Sequence, residues 1–199
     1  MRTKDKLLEI GGKLFEERGY EGVSVRDVVK ATGANLGAIT YHFGSKEAFF
    51  GEVVSRKIEP IMRMGLTIVA SGKGPREKLR AMLEAFAFYV LHTEPALKVL
   101  FAEALAGGRR LPKAAIEAII WRNKKVAEVL HDGIRKGLFR KVDIECAAWS
   151  FFGMLTGYIL YKPIIAGQKR HSAYTEAYVR RIVDAAMDIF LDGVCRRKK

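Results

Sequence analysis

Residues 24–47 read SVRDVVKATGANLGAITYHFGSKE. Ser24 followed three residues later by Asp27 is a capping box with Asp in the usual Glu place, and Val25, Val28 and Val29 supply the inner face of a short helix. Gly33 ends it. Asn35 can then cap a second short helix through Phe43, whose spacing puts Ile39 and Phe43 inward and Ala38, Tyr41 and His42 largely outward. Ser45 caps the helix that follows, with Glu47 in its first turn near the positive dipole end. Two short helices joined by a tight Gly-containing turn are the helix-turn-helix plan, in which the second helix lies in the DNA major groove.

Reading base edges requires exposed groups that donate, accept or touch a thymine methyl, and small residues where the backbone comes close. Asn35, Thr40, Tyr41 and His42 supply the polar groups. Gly37 and Ala38 keep the surface low, and Leu36 belongs to the same candidate surface. Arg26 can reach a guanine edge or a phosphate, and Lys46, with the amide ends near Ser45, can anchor phosphate at a helix N-terminus. The competing reading is an ordinary helical hairpin with a solvated face, in which Tyr41 and His42 pack against Phe43 or Lys46.

Outward from this stretch the chain reads as all helix. Upstream, Leu7, Ile10, Gly11, Leu14 and Phe15 recur at three and four residue steps, one apolar stripe of a helix that stops near Gly19. Downstream, the helix begun at Ser45 runs on towards Pro60 or Ser71. Residues 71–75, SGKGP, are the best linker in the chain, with Pro placed where a first helical turn tolerates it. Pro95 and Pro112 repeat the arrangement. The spacing predicts helices over about 75–92, 95–106, 112–136, 143–166 and 174–192. Sustained apolar-polar alternation is absent, so the expected class is all-α with about nine helices.

A chain of 199 residues is one domain or two small ones, and 49% hydrophobic with 29% charged residues is an ordinary soluble composition. Two cysteines, Cys146 and Cys195, make no disulfide framework, and no Cys or His pair has zinc-ligand spacing. Cys146 is expected to pack as a small hydrophobe. Charges run through the first twenty residues, so there is no signal-peptide core, and the longest uncharged stretch, 146–161, is shorter than a bilayer span. The expected compartment is the cytoplasm, without membrane insertion.

The formal charge of +13 favours polyanions. Its distribution is uneven. Residues 1–60 hold 10 Lys and Arg against 9 Asp and Glu, and the remaining 139 residues hold 25 against 13. The excess therefore says little about DNA. It points to an anionic effector or a solvated basic face in the rest of the chain.

Residues 8–50, LEIGGKLFEERGYEGVSVRDVVKATGANLGAITYHFGSKEAFF, resemble the N-terminal domain of the tetracycline-repressor (TetR) family of bacterial transcription regulators. The resemblance spans the LF and GY of the first helix and turn, the V-x-D-V of the second helix, the G-A-N-L-G-A-I turn and the Y-H-F-G-S-K-E leading onward. The stretch NLGAITYHFGSKE looks most like members reading A-I-N-Y-H-F, with Thr40 here in place of that Asn. Val23 stands where Thr is common, which removes a hydroxyl for phosphate. The resemblance implies a DNA-binding transcriptional regulator: a homodimeric repressor on a palindromic double-stranded operator, released by a small-molecule effector. On that reading residues 1–46 are the DNA-binding domain and 47–199 the ligand-binding and dimerisation domain.

The rest of the chain offers candidates for the effector site. A helical domain that binds a small molecule needs an apolar cavity with a few polar groups, and Tyr89, His92, Phe101, Trp121 and Arg122 on successive middle helices are the candidates. An anionic or aromatic effector, such as an acyl thioester or an aromatic acid, and a neutral molecule both remain open. Gly153 and Gly157, with Ile182, Val183, Ala186, Ile189 and Phe190, suggest a dimer bundle of two helices from each chain, against intrachain packing. His92, His131 and His171 have no acidic or Cys partner at helical spacing, and no phosphate loop, nucleophile elbow or paired carboxylate marks an enzyme. No cofactor, metal or catalytic residue is expected. The alternative function is a basic membrane-surface or nucleoid-associated binding protein without a specific operator, motivated by the charge and the 196–199 RRKK tail.

Overall fold

In the computed structural model the described residues are 3–92, 100, 101, 103–105, 107–109, 111–161, 164 and 175–194. They form helices α1 (Thr3–Arg18), α2 (Val25–Thr32), α3 (Ala38–Phe43), α4 (Lys46–Ala70), α5 (Pro75–His92), α6 (Lys113–Arg135), α7 (Ile144–Leu160) and α8 (Glu176–Val194). Residues 100, 101 and 103–105 are helical as well, and there is no β-strand among the described residues. The all-α expectation holds.

Local chemistry sets the boundaries. At α2, Ser24 Oγ accepts from the Asp27 backbone N–H at 3.1 Å while Asp27 Oδ2 accepts from the Ser24 N–H at 2.8 Å, the reciprocal capping box. Gly33 closes the same helix at φ +69, a left-handed conformation that suits glycine. Thr32 ties off the end, its buried hydroxyl donating to the Val28 carbonyl at 2.9 Å. Pro75 opens α5 at its first position, and Pro60 is carried inside α4.

One capping expectation fails. Helix α3 starts at Ala38 with Gly37 as its N-cap and no side-chain cap bond, so Asn35 is not the cap. Asn35 Oδ1 instead accepts from the Gly37 N–H at 2.6 Å, an Asx turn that orients the connection two residues before the helix. A second correction concerns Cys146, which is exposed rather than packed. It lies in the first turn of α7, where Asp143 caps by accepting from the Cys146 backbone N–H at 2.9 Å.

The chain divides into two compact units, residues 1–60 with 93–119 and residues 61–92 with 120–199, so α4 and α6 each contribute to both. In the first unit Phe15 is the hub. Its ring lies 5.7 Å from Phe49 and 5.0 Å from Phe50, and stacks on Tyr20 at 6.0 Å. A Cβ at Gly11 would run into the Phe49 ring, so the glycine is what lets α4 approach α1 there. Val23, Val28 and Ile39 seal the same core at 1% exposure each. Val23 thus packs inward, where an apolar residue gains from burial.

In the second unit α5, α7 and α8 meet through aromatic edges, Phe86 to Phe152 at 4.9 Å and Phe151 to Phe190 at 5.0 Å. Leu79, Leu83, Val126, Leu130 and Met187 fill between them without exposed surface. Trp149, Tyr161 and Ile189 remain outside this core, at 51%, 59% and 70% exposure. A Cβ at Gly153 or Gly157 would meet nothing among the described residues. Among the described residues no helix is long and apolar enough to cross a membrane.

Candidate nucleic-acid interface and effector residues

The short α3 is presented by α2 and α4. Ile39 is its only buried residue, held in the first unit's core, and this fixes which faces look outward. Tyr41 is 85% exposed and Leu36 58% exposed, and Asn35, Gly37 and Thr40 are exposed with them. Ala38 is half-buried. His42 is also half-buried, its ring 4.9 Å from Tyr41 and 6.0 Å from Phe43. The packing alternative therefore describes part of what His42 does, whereas Tyr41 is free to reach outward.

Asn35, Gly37, Ala38, Tyr41 and His42 line one open cleft of about 640 Å³, together with Thr3 and Lys6 of α1 and Gly33 of the turn. The sequence reading missed Thr3 and Lys6. The signal was available only as position: a first helix whose wet face carries Lys6, with nothing in its spacing to aim that lysine at the turn.

Cations around this surface differ in their company. Lys4, Arg56 and Lys57 bind Glu52, Asp5 and Glu16 at 2.8 to 3.0 Å, bracing α1 against α4, and Lys13 pairs with Glu9. Among the described residues Lys6, Arg18, Arg26 and Lys30 have no ion pair. Arg26 is exposed on α2. Among the described residues Lys46 is in no salt bridge either; its Nζ sits 4.2 Å from the centroid of the Tyr20 ring. A near-neutral segment thus keeps several positive groups available by spending its acids on a different set of lysines and arginines.

Two carboxylates at helix starts are strongly held. The Ser24 hydroxyl and backbone hold Asp27 below the usual carboxylate range, and Glu47 is lowered by its own backbone N–H, then by the Tyr20 and Ser45 hydroxyls. Ser45 Oγ accepts from the Ala48 N–H at 3.1 Å, the expected cap of α4. In the other direction, hydrogen bonding to Asp143 and its charge raise the Cys146 thiol.

The effector candidates fall in different places. Phe101 is half-buried in the first unit, and Tyr89, Trp121 and Arg122 are half-buried in the second. The His92 side chain lies outside the described residues, as do Cys195 and His171. The Trp121 ring lies against α4, 3.1 Å from where a Cβ on Gly65 would stand. Arg122 holds its guanidinium 4.2 Å from the Phe152 centroid and 4.9 Å from that of Phe86. Burial lowers its pKa to about 10, so it remains charged at neutral pH.

Comparison with known proteins agrees with this arrangement. Residues 7–53 match the bacterial regulatory proteins of the tetR family, and residues 77–193 match the C-terminal domain of AefR-like transcriptional repressors. The chain is 30% identical over 141 residues to the transcriptional repressor KstR2 of Mycobacterium tuberculosis, covering 69% of each chain. The solved structure of the TetR family regulator PfmR from Thermus thermophilus is similar at 26% identity with a TM-score of 0.71, covering 94% of this chain and 97% of that one. The structure of AibR in complex with isovaleryl coenzyme A and operator DNA shares the fold, at 20% identity, a TM-score of 0.72 and the same coverage of 94% and 97%. With the helix-turn-helix at residues 25–43 and both matched segments in order along one chain, the protein belongs to the TetR family of bacterial regulatory proteins and is a DNA-binding transcriptional regulator.

Proposed function

We propose that the protein is a homodimeric repressor that binds a palindromic operator through paired α3 helices and leaves it when a small molecule binds the C-terminal part of the chain. DNA reading is assigned to residues 1–46, and effector binding with dimerisation to 47–199. The carrying observation is the outward face of α3, where Tyr41 at 85% exposure stands beside exposed Thr40 while Ile39 locks the helix to the core. Tyr41, Thr40, Asn35 and Leu36 read base edges; Gly37 and Ala38 allow close approach; Arg26 and Lys46 hold phosphate; His42 supports Tyr41 and lies at the edge of the contact. Thr40, in place of the Asn found in A-I-N-Y-H-F members, sets a different base preference.

Two copies reading one palindrome must place their α3 helices about 34 to 36 Å apart, or a multiple of that, to enter successive turns of the groove together. An effector that binds better to another spacing weakens operator binding by its differential affinity for the two states. AibR, which shares the fold, was solved in complex with isovaleryl coenzyme A and operator DNA. No catalytic role is assigned, and a regulator of transcription works in the cytoplasm.

Footprinting on the promoter region of the protein's own gene tests the reading. Two protected half-sites with dyad symmetry are expected; one half-site, or no protection at low salt, would sink it. Cosedimentation with anionic vesicles at physiological salt, set beside that footprint, separates it from a basic membrane-surface or nucleoid-associated protein.

A further inference from the structure

In the second unit a set of buried polar atoms has no hydrogen-bond partner among the described residues. Arg122 Nε is sealed from solvent and has no hydrogen-bond partner among the described residues. One residue on, Asn123 is 6% exposed, and its Nδ2 and Oδ1 are both sealed and unpartnered among the described residues. Three such atoms on consecutive residues of one helix are unusual, because buried polar groups nearly always find partners. Leaving each without one destabilises the ligand-free fold.

The Arg122 surroundings narrow what is missing. Phe152 and Phe86 stabilise the cation through their ring faces, at 4.2 and 4.9 Å. Ring faces do not accept the in-plane N–H donors, which want oxygen. Burial lowers the Arg122 pKa to about 10. A guanidinium fork matches a carboxylate edge to edge. One positive charge balances one negative charge, whereas a phosphate ester would bring more charge and hydration than a single arginine offsets. The residue as a whole keeps partial exposure while its Nε is sealed.

We propose that Arg122 is the counter-ion of a monocarboxylate effector whose apolar body lies against Phe86 and Phe152. The assignment rests on the effector-responsive reading above and gives it a ligand class. The bound acid completes the hydrogen bonding of Arg122 and returns its pKa towards the ordinary value.

The test uses the full chain with decanoate and 3-phenylpropanoate, the primary alcohol of each, and decanoyl coenzyme A. Calorimetry and thermal melting should show either acid binding about tenfold or more tightly than its alcohol, the factor one charged hydrogen bond supplies. Arg122→Met should abolish the preference and raise the melting temperature of the ligand-free protein, because an unpaired buried charge has gone. Equal binding of acid and alcohol, binding of the thioester alone, no binding of either acid, or an unchanged preference in Arg122→Met would each overturn the assignment. Should the Met variant not fold, the acid and alcohol comparison on the unaltered protein decides. Promoter binding by the ligand-free protein is measured in parallel: its absence defeats the repressor reading, whereas promoter binding without acid preference defeats only the role of Arg122.

Discussion

Lys46 places its ammonium 4.2 Å from the centroid of the Tyr20 ring, and the Tyr20 hydroxyl donates to Glu47 Oε1 at 2.9 Å. The ring face positions the cation without neutralising it, so its N–H donors stay available for a phosphate. Lys46→Ala should therefore reduce the slope of log affinity against log salt by about one unit, read from operator titrations at several salt concentrations. An unchanged slope would remove Lys46 from the interface.

Tyr41 separates recognition from folding. At 85% exposure it contributes little to the core, so Tyr41→Ala should alter folding stability by no more than about 0.5 kcal/mol. Operator affinity should nevertheless fall by about 1–3 kcal/mol, and the base preference at one position should relax. Denaturant unfolding beside a panel of substituted operators gives both numbers. A large stability loss with intact affinity would reverse the assignment.

Asp27 links the start of α2 to pH. Its folded pKa is depressed, chiefly by the Ser24 hydroxyl and backbone N–H. A depressed carboxylate stabilises the fold above its unfolded pKa, and the contribution is lost as pH falls through the lower, folded value. Asp27→Asn should accordingly cost stability at neutral pH, with the difference from the unaltered protein closing below about pH 3.9, the ordinary Asp value. Urea melts across that range check it; a difference that persists in acid would locate the effect elsewhere.

Ile189 lies on α8 at 70% exposure, with Trp149 of α7 at 51%. If the exposed face of α8 is where two copies meet, Ile189→Glu places a charge in a desolvated contact that has no partner for it. Sedimentation should show the dimer shifting to monomer, and two-half-site protection should be lost with it. A dimer that persists at the same concentrations would move the interface to another face.

The order of helices was legible because their ends carry local chemistry: Ser24 with Asp27, Gly33 and Ser45 act within a few residues, and each bond is present. Asn35 was misread for an instructive reason. An Asx side chain can cap a helix or fold the turn before it, and both uses look alike in sequence. Cys146 was misplaced because the uncharged run 146–161 offers little polar contrast by which to tell the outward face of its helix. Lys6 in the cleft and Asn123 beside Arg122 depend on tertiary placement. No periodicity announces a polar atom that lacks a partner.

Helix α3 has six residues and one buried side chain, Ile39. Attachment and vocabulary are therefore carried by different positions. Residues 36, 40 and 41 are exposed and can be exchanged without disturbing the anchor, whereas Asn35 also holds the Asx turn before the helix. Operator preference in such a protein can drift through viable intermediates, since every step stays folded, and a designer can graft another reading face by the same route. An altered Ile39, by contrast, would leave the entire vocabulary without a fixed orientation.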